Sequence, residues 1–267
     1  MCMNDYSEVQ HGIRLILNVF GENDNARRER LVAALDKVAP GGARGGIAAF
    51  DEWIKVLPNS TFIGCLSEFD PVDVYGRLSM WRAYSSGMAG VALVMNSYPF
   101  QVESDALKAY SVPVAYMSDM EFSRRIDQCL DIIECNLDAV DCLDEASVTL
   151  ILFRWLVFMA VSMKHPGFHE EEEWRVIYIP SMDESKTIKA AVESIHGIPQ
   201  VVQKIPLRND PEAGLDRADL NNLLHQVLIG PSDFPLVLRD AFAAALREKG
   251  VENPDDRIAI SFIPLRG

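Results

Sequence analysis

Apolar residues recur along the chain in two rhythms, at every third or fourth position in some stretches and as short unbroken runs in others. In residues 24–38, "DNARRERLVAALDKV", Leu31, Leu35 and Val38 fall at helical spacing, and the pattern stops before Pro40, Gly41 and Gly42, which predicts a helix. Residues 46–57 predict a second helix, ended by Pro58 and Asn59. "TFIGCLS" at 61–67, "VALVMN" at 91–96 and "VPVAYM" at 112–117 are short apolar runs between turn residues and predict buried strands. "RLSMWRAYSS" at 77–86 is helical in pattern, and Gly87 and Gly90 then release the chain.

Two long helices are predicted over 119–138 and 144–163, the first amphipathic and the second nearly all apolar. "EWRVIYIP" at 173–180 and "VVQKIPL" at 201–207 resume a β pattern, with 181–200 read as a loop or small insertion. "HQVLIGPSDF" at 225–234 is a strand that turns through Gly230, Pro231 and Ser232 into a helix. In that helix Leu238, Phe242 and Leu246 recur every four residues, Gly250 stands as C-cap, and "RIAISFIP" at 257–264 closes the chain as a strand. Helices and strands intermix without the strict alternation of a doubly wound sheet. The expected fold is α+β, one domain over 1–267 with a mixed sheet and flanking helices.

The most apolar stretch, "VTLILFRWLVFMAVSM" at 148–163, is shorter than the ~20 residues of a bilayer span and carries Arg154 at its middle. It reads as a buried helix, and Arg154 then needs a carboxylate or carbonyl partner, because an unpaired buried charge costs several kcal/mol. Lys and Arg number 25 against 39 Asp and Glu, a net charge of -14, with no basic block. A protein that lives by neutralising phosphates needs a basic face, so nucleic acid is disfavoured as a partner and a small molecule such as a nucleotide is preferred. Cys2, Cys65, Cys129, Cys135 and Cys142 are odd in number and show no CxxC, which suits buried thiols in a reducing compartment. "MCMNDYSEVQHG" at the start lacks the apolar stretch of a secretory signal, so the expected location is the cytoplasm, with no membrane partner.

The chemistry concentrates in "KHPGFHEEEEWRVIY" at 164–178. Side chains alternate faces along a strand, so continuing the strand back through the acidic run places Glu171, Glu173, Arg175 and Ile177 on one face and Glu172, Trp174, Val176 and Tyr178 on the other. Two acids and a guanidinium in a row can act as a catalytic or substrate-clamping set, with Arg175 holding Glu173 ionised. The plainer reading is a surface turn feeding an edge strand, with an ordinary salt bridge. Lys164 and His165, before Pro166 and Gly167, can return cationic groups over the row.

A second candidate is "SMWRAYSSGMAGVALV", where Trp81, Tyr84 and Met88 share a helical face and Arg82, Ser85 and Ser86 lie towards its end. Such a set is either core or a platform for a planar ring and a phosphate; Trp81, Arg82, Tyr84, Ser67 and Lys164 are the candidate substrate-binding residues. The turn in "LIGPSDF" can present backbone N–H groups to an anion, though Ser232 or Asp233 as a helix N-cap explains it as well. No HExxH, GxGxxG or Ser-His-Asp order occurs, and the five histidines are too dispersed to argue a metal site.

Taken together, "MNDYSE" at 3–8, "TFIGCLSE" at 61–68, "MWRAYSSGMAGVALVMN" at 80–96, "KHPGFHEEEEWRVI" at 164–177, "VLIGP" at 227–231 and "SFIPLR" at 261–266 resemble the bacterial domain of unknown function 2971 family. In that family the Asn-Asp-x-x-Glu piece follows an upstream strand; with Asn4 and Asp5 almost at the start here, the resemblance implies a chain short of that first strand. A later strand bearing Glu-x-Glu, with a central Ser or aromatic, is similar in layout to ADP-ribosyltransferases, which cleave the nicotinamide bond of NAD. By that analogy Glu173 steadies oxocarbenium-like charge and Glu171 is its partner. The resulting expectation is an enzyme of glycosyl transfer or hydrolysis on NAD or another nucleotide, in a toxin or phage-defence setting. The alternative is a non-catalytic ligand-sensing or protein-interaction module. A metal-dependent nuclease built on Glu171, Glu173 and Lys164 would need a basic groove, which the sequence does not offer.

Overall fold

The computed structural model describes residues 6–21, 25–56, 60–85, 90–98, 106–195 and 197–264. Asn4, Asp5, Pro58, Asn59, Ser86, Gly87 and Met88, each of which figures in the reading above, lie outside the described residues. Helices α1 (Tyr6–Phe20), α2 (Asn25–Leu35) and α3 (Gly42–Trp53) precede strand β1 (Phe62–Ser67). Helix α4 (Leu78–Tyr84), strands β2 (Val91–Met95), β3 (Ala109–Pro113) and β4 (Ala115–Tyr116) and helices α5 (Asp119–Cys135) and α6 (Glu145–Ser162) follow. Then come β5 (Met163–Lys164), β6 (Glu173–Tyr178), β7 (Lys189–Ile195), β8 (Ile198–Lys204), α7 (Leu220–Leu223), β9 (Leu224–Ile229), α8 (Pro235–Glu248) and β10 (Ile258–Ile260). The class is α+β. Where the sequence reading takes 1–267 as one domain, the chain groups into two compact units.

The first unit comprises Met1–Leu66, Ala109–Glu184 and Ser194–Gln200. Its centre is α6, which buries Val148, Leu152, Leu156, Val157, Ala160 and Val161. Leu150 and Ile151, on the other side of the same helix, are about half exposed, so the helix expected to be buried is buried on one face. By length and composition α6 could also cross a membrane, but Arg154 within it is paired with Asp183 at 2.8 Å, a partner of the kind its charge requires.

Helix α3 lies against α6 through small residues. A Cβ on Gly42 would stand 2.9 Å from the Val148 side chain, and one on Gly46 would stand 2.9 Å from that of Leu152. This stripe starts the helix at Gly42, four residues before the predicted start. Helix α1 was not predicted; Val9, Ile13, Ile16 and Phe20 nonetheless follow helical spacing and are all buried in the same core as α6. Helix α5 opens on a capping box, with Glu121 N–H donating to the Ser118 hydroxyl and the Ser118 N–H donating to the Glu121 carboxylate.

A three-stranded sheet of order β1-β6-β3 completes this unit, with β3 antiparallel to β6 and Val112 opposite Arg175. The predicted strand over 112–117 is broken at Val114: its second part, β4, pairs in parallel with β5, setting Tyr116 opposite Lys164. That break carries the chain from one sheet to the other, beside the acidic stretch.

The second unit comprises Ser67–Lys108, Ser185–Glu193 and Val201–Gly267. Strand β9 is central, parallel to β10 and antiparallel to β2, and α8 packs Ala243 and Leu246 into a core with Val227, Ile229 and Ile258. Helix α8 ends as expected at Gly250, in the left-handed region at φ 72°; the N–H groups of Gly250 and Val251 donate to the carbonyls of Arg247 and Leu246, which makes a Schellman motif. At its other end the N-cap is Phe234, not Ser232 or Asp233, and the Ser232 hydroxyl accepts the Phe234 N–H instead. The stretch 181–200, expected as a loop or small insertion, holds β7 and the start of β8, which pair with one another across Gly197 at φ 80°.

Candidate functional site

The acidic run divides at Glu172. Residues Pro166–Glu171 form a 3₁₀ turn capped by the His165 side chain, Glu172 takes a left-handed conformation at φ 41°, and β6 begins only at Glu173. From there the alternation holds, with Glu173, Arg175 and Ile177 buried and Trp174 exposed. Glu171 is therefore not in the strand. It reaches the same place from the turn, because the left-handed residue between them folds the turn back over β5.

Lys164 is the centre of the cluster. Its ammonium donates to Glu171 Oε2 at 2.6 Å and to Glu173 Oε2 at 3.1 Å, and lies 4.9 Å from the centre of the Phe168 ring. Arg175 Nε donates to Glu173 Oε1 at 2.8 Å, and its terminal nitrogen donates to the carbonyl of Val161 at the end of α6 at 2.6 Å. Lys164, Glu173 and Arg175 are only 2, 5 and 1% exposed, whereas the Glu171 side chain keeps 18% of its surface. Two cations and two carboxylates thus balance in the interior, each held by directed hydrogen bonds.

Burial pushes the Glu173 carboxyl up, but the Arg175 hydrogen bond, a hydrogen bond from the Cys65 thiol, the Arg175 charge and the Lys164 hydrogen bond together outweigh it. The carboxyl is held below its ordinary value and is ionised at neutral pH. The Glu173 N–H donates to the Tyr116 hydroxyl at 2.8 Å, and burial, with the nearby Glu173 and Glu171 charges, raises the Tyr116 phenol above its ordinary value. Tyr116 and Cys65 were not singled out from the sequence. The strand register was the available signal for Tyr116, since it is the residue paired with Lys164. Cys65, Cys135 and Cys142 are exposed, a correction to the expectation of buried thiols; apolar neighbours in sequence do not by themselves bury a residue.

The remaining candidates lie in the second unit. Trp81 is a core side chain there: its indole N–H donates to the Tyr75 carbonyl at 3.0 Å, and its ring fills the space where a Cβ on Gly230 would stand, 2.6 Å away. Arg82, Tyr84 and Ser67 are exposed. Among the described residues no group of three or more His, Cys, Asp or Glu is placed to hold a metal ion.

A family model described as "Protein of unknown function (DUF2971)" matches residues 80–176. Residues 80–176 are thus similar to that family. No curated protein and no solved structure matches the chain. The matched segment starts at Met80 in α4, takes in α5, α6 and the Lys164 cluster, and stops inside β6, just after Arg175. Ser67 and α1 fall outside it.

Proposed function

We propose that the chain is a non-catalytic ligand-sensing or protein-interaction module, in which the Lys164–Glu173–Arg175 cluster is an internal brace. The observation that carries this reading is the state of the Glu173 carboxylate. One oxygen is bonded to Arg175 and the other to Lys164, in a place only 5% exposed. A carboxylate that must meet a ribose hydroxyl or a developing positive charge needs a free approach, and this one is already neutralised by two buried cations. Support also comes from the second unit, which leaves Val72, Val74, Tyr75, Phe234, Leu236 and Val237 largely exposed. Large apolar side chains set on a surface are the usual material of an interaction site.

The second reading is a nucleotide-directed enzyme, an ADP-ribosyltransferase-like protein or NAD glycohydrolase in a toxin or phage-defence setting. It draws on one observation, that Glu173 is held ionised, the state such a reaction demands. Incubating the purified chain with NAD and following nicotinamide release separates the two readings. The module reading expects no release above the buffer rate, and no thermal shift with NAD that depends on Glu173. Steady release that Glu173→Gln abolishes without lowering the melting temperature would overturn it in favour of the enzyme.

A further inference from the structure

Beside the brace lies a pair of histidines that neither reading uses. His11 of α1 and His165, the residue after β5, meet edge to face with ring centres 5.8 Å apart and planes at 73°. Their partners dictate their protonation. His11 Nε2 lies 3.2 Å from the carbonyl of Met117, which can only accept, so Nε2 carries the hydrogen. His11 Nδ1 lies 3.3 Å from the Arg14 guanidinium, which can only donate, so Nδ1 is a lone pair. His165 Nδ1 accepts the Gly167 N–H at 3.1 Å and must likewise be unprotonated. Both rings are therefore fixed as neutral Nε2–H tautomers.

A proton added to either Nδ1 sets N–H against N–H. On His165 it removes the acceptor that caps the 3₁₀ turn Pro166–Glu171, the turn that brings Glu171 to Lys164. On His11 it faces the Arg14 cation, and with both rings charged two like charges stand in contact. The charged and titratable groups around the pair are already engaged. Arg14 is held by Asp119 at the start of α5 at 3.0 Å, and Lys164 by Glu171 and Glu173. The Tyr116 hydroxyl takes the Glu173 N–H, and His169 Nδ1 lies 3.2 Å from the Pro166 carbonyl. Glu170 and Glu172, in and just after the turn, are exposed.

We propose that His11 and His165 form an acid-sensitive latch: neutral, they hold the turn 166–171 closed over Lys164, and protonated, they release it. Histidine is the side chain whose ordinary titration falls between pH 5 and 8. It stands apart from either reading of the function, because it concerns the closure of the turn and not what the chain binds.

Amide hydrogen exchange on the full chain at pH 8.0 and pH 5.5, corrected for the intrinsic pH dependence, tests it. At pH 8.0 the Phe168 and Glu172 amides, which donate to His165 and His169 carbonyls, are expected to be protected, and at pH 5.5 to lose at least tenfold of that protection. In the double variant His11→Gln, His165→Asn, the amide side chains can make the same hydrogen bonds but do not titrate, and protection is expected at both pH values. Equal protection of the wild type at both, or an equal loss in the double variant, overturns the latch. Long-range proton–nitrogen spectra of the wild-type imidazoles give a reading that needs no variant. The Nε2–H tautomer is expected for both rings at pH 8.0, and an Nδ1–H tautomer on His165 there also overturns it.

Discussion

Glu173 is where one atom's charge decides most. Glu173→Gln keeps the shape of the side chain but leaves Arg175 and Lys164 with Glu171 as the only carboxylate of the cluster, one buried cation in excess. Removing one partner of a buried ion pair is expected to cost about 3 kcal/mol, read as a fall in the urea midpoint at unchanged slope. Glu171→Gln, at the partly exposed rim, is expected to cost about 1 kcal/mol or less. Equal losses in the two variants would mean that Glu173 is not the brace. The pH dependence has a definite sign. The folded carboxyl lies below its ordinary 4.5, so its contribution is complete above that value and is lost as the pH falls from 4.5 through the lower folded value. Wild type should therefore lose more stability than Glu173→Gln between pH 5 and pH 3. At this scale the sequence was half legible. Strand alternation put Glu173, Arg175 and Ile177 on one face as the structure has them, because phase along a strand is set by covalent geometry. It placed Glu171 with them for the wrong reason, since the left-handed Glu172 that folds the turn back leaves no mark in a run of four identical residues.

Among the elements, the helix pair α3 and α6 rests on glycines that a propensity argument would call defects. In an exposed helix Gly→Ala stabilises by about 1 kcal/mol. At Gly46 the new methyl would stand 2.9 Å from Leu152 Cβ and 3.0 Å from the Thr149 carbonyl oxygen, so α3 and α6 must part. The expected outcome of Gly46→Ala is a loss of about 1–3 kcal/mol. Thermal denaturation of this one variant settles the sign, and a gain in stability would remove the close-approach account. The same scale shows why element types were easier to read than their limits. Helix α5 shows an amphipathic period, α6 a long apolar run, α8 a period of four closed by Gly250, β1 and β2 short apolar runs between turns, and β6 a strand alternation. Helix α1 went unread because its polar first turn hides four buried residues at helical spacing. Strand β7 and the first residues of β8 escape the pattern because they are mostly solvent-facing, so no apolar alternation marks them, whereas Val201–Lys204 of β8 fall in the run expected as a strand. Val114, where one predicted strand becomes two, departs because its N–H donates to the Glu173 carbonyl while the next residue pairs with β5.

Over the whole molecule, a net charge of -14 works against the apolar surface that the second unit displays. Val72 is 85% exposed and Phe234 69%, and the loop that presents Val72 is ordered. The Asp70 carboxylate accepts the Val72 N–H at 2.9 Å, that of Asp73 accepts the Tyr75 N–H at 2.9 Å, and Trp81 ties down the Tyr75 carbonyl. Side chains so exposed add little to folded stability, and Val72→Ser with Phe234→Ser is expected to change it by no more than about 0.5 kcal/mol per site. Their effect should lie in association. Like charges on two copies repel at low ionic strength, and at 1 M salt the screening length falls to about 3 Å, leaving apolar contact to act alone. Sedimentation of the wild type is therefore expected to show weaker self-association at low salt than at 1 M, and the double variant to associate less than the wild type at 1 M. If the two chains associate equally there while melting alike, the apolar surface is inert, and the interaction reading loses the surface on which it would act.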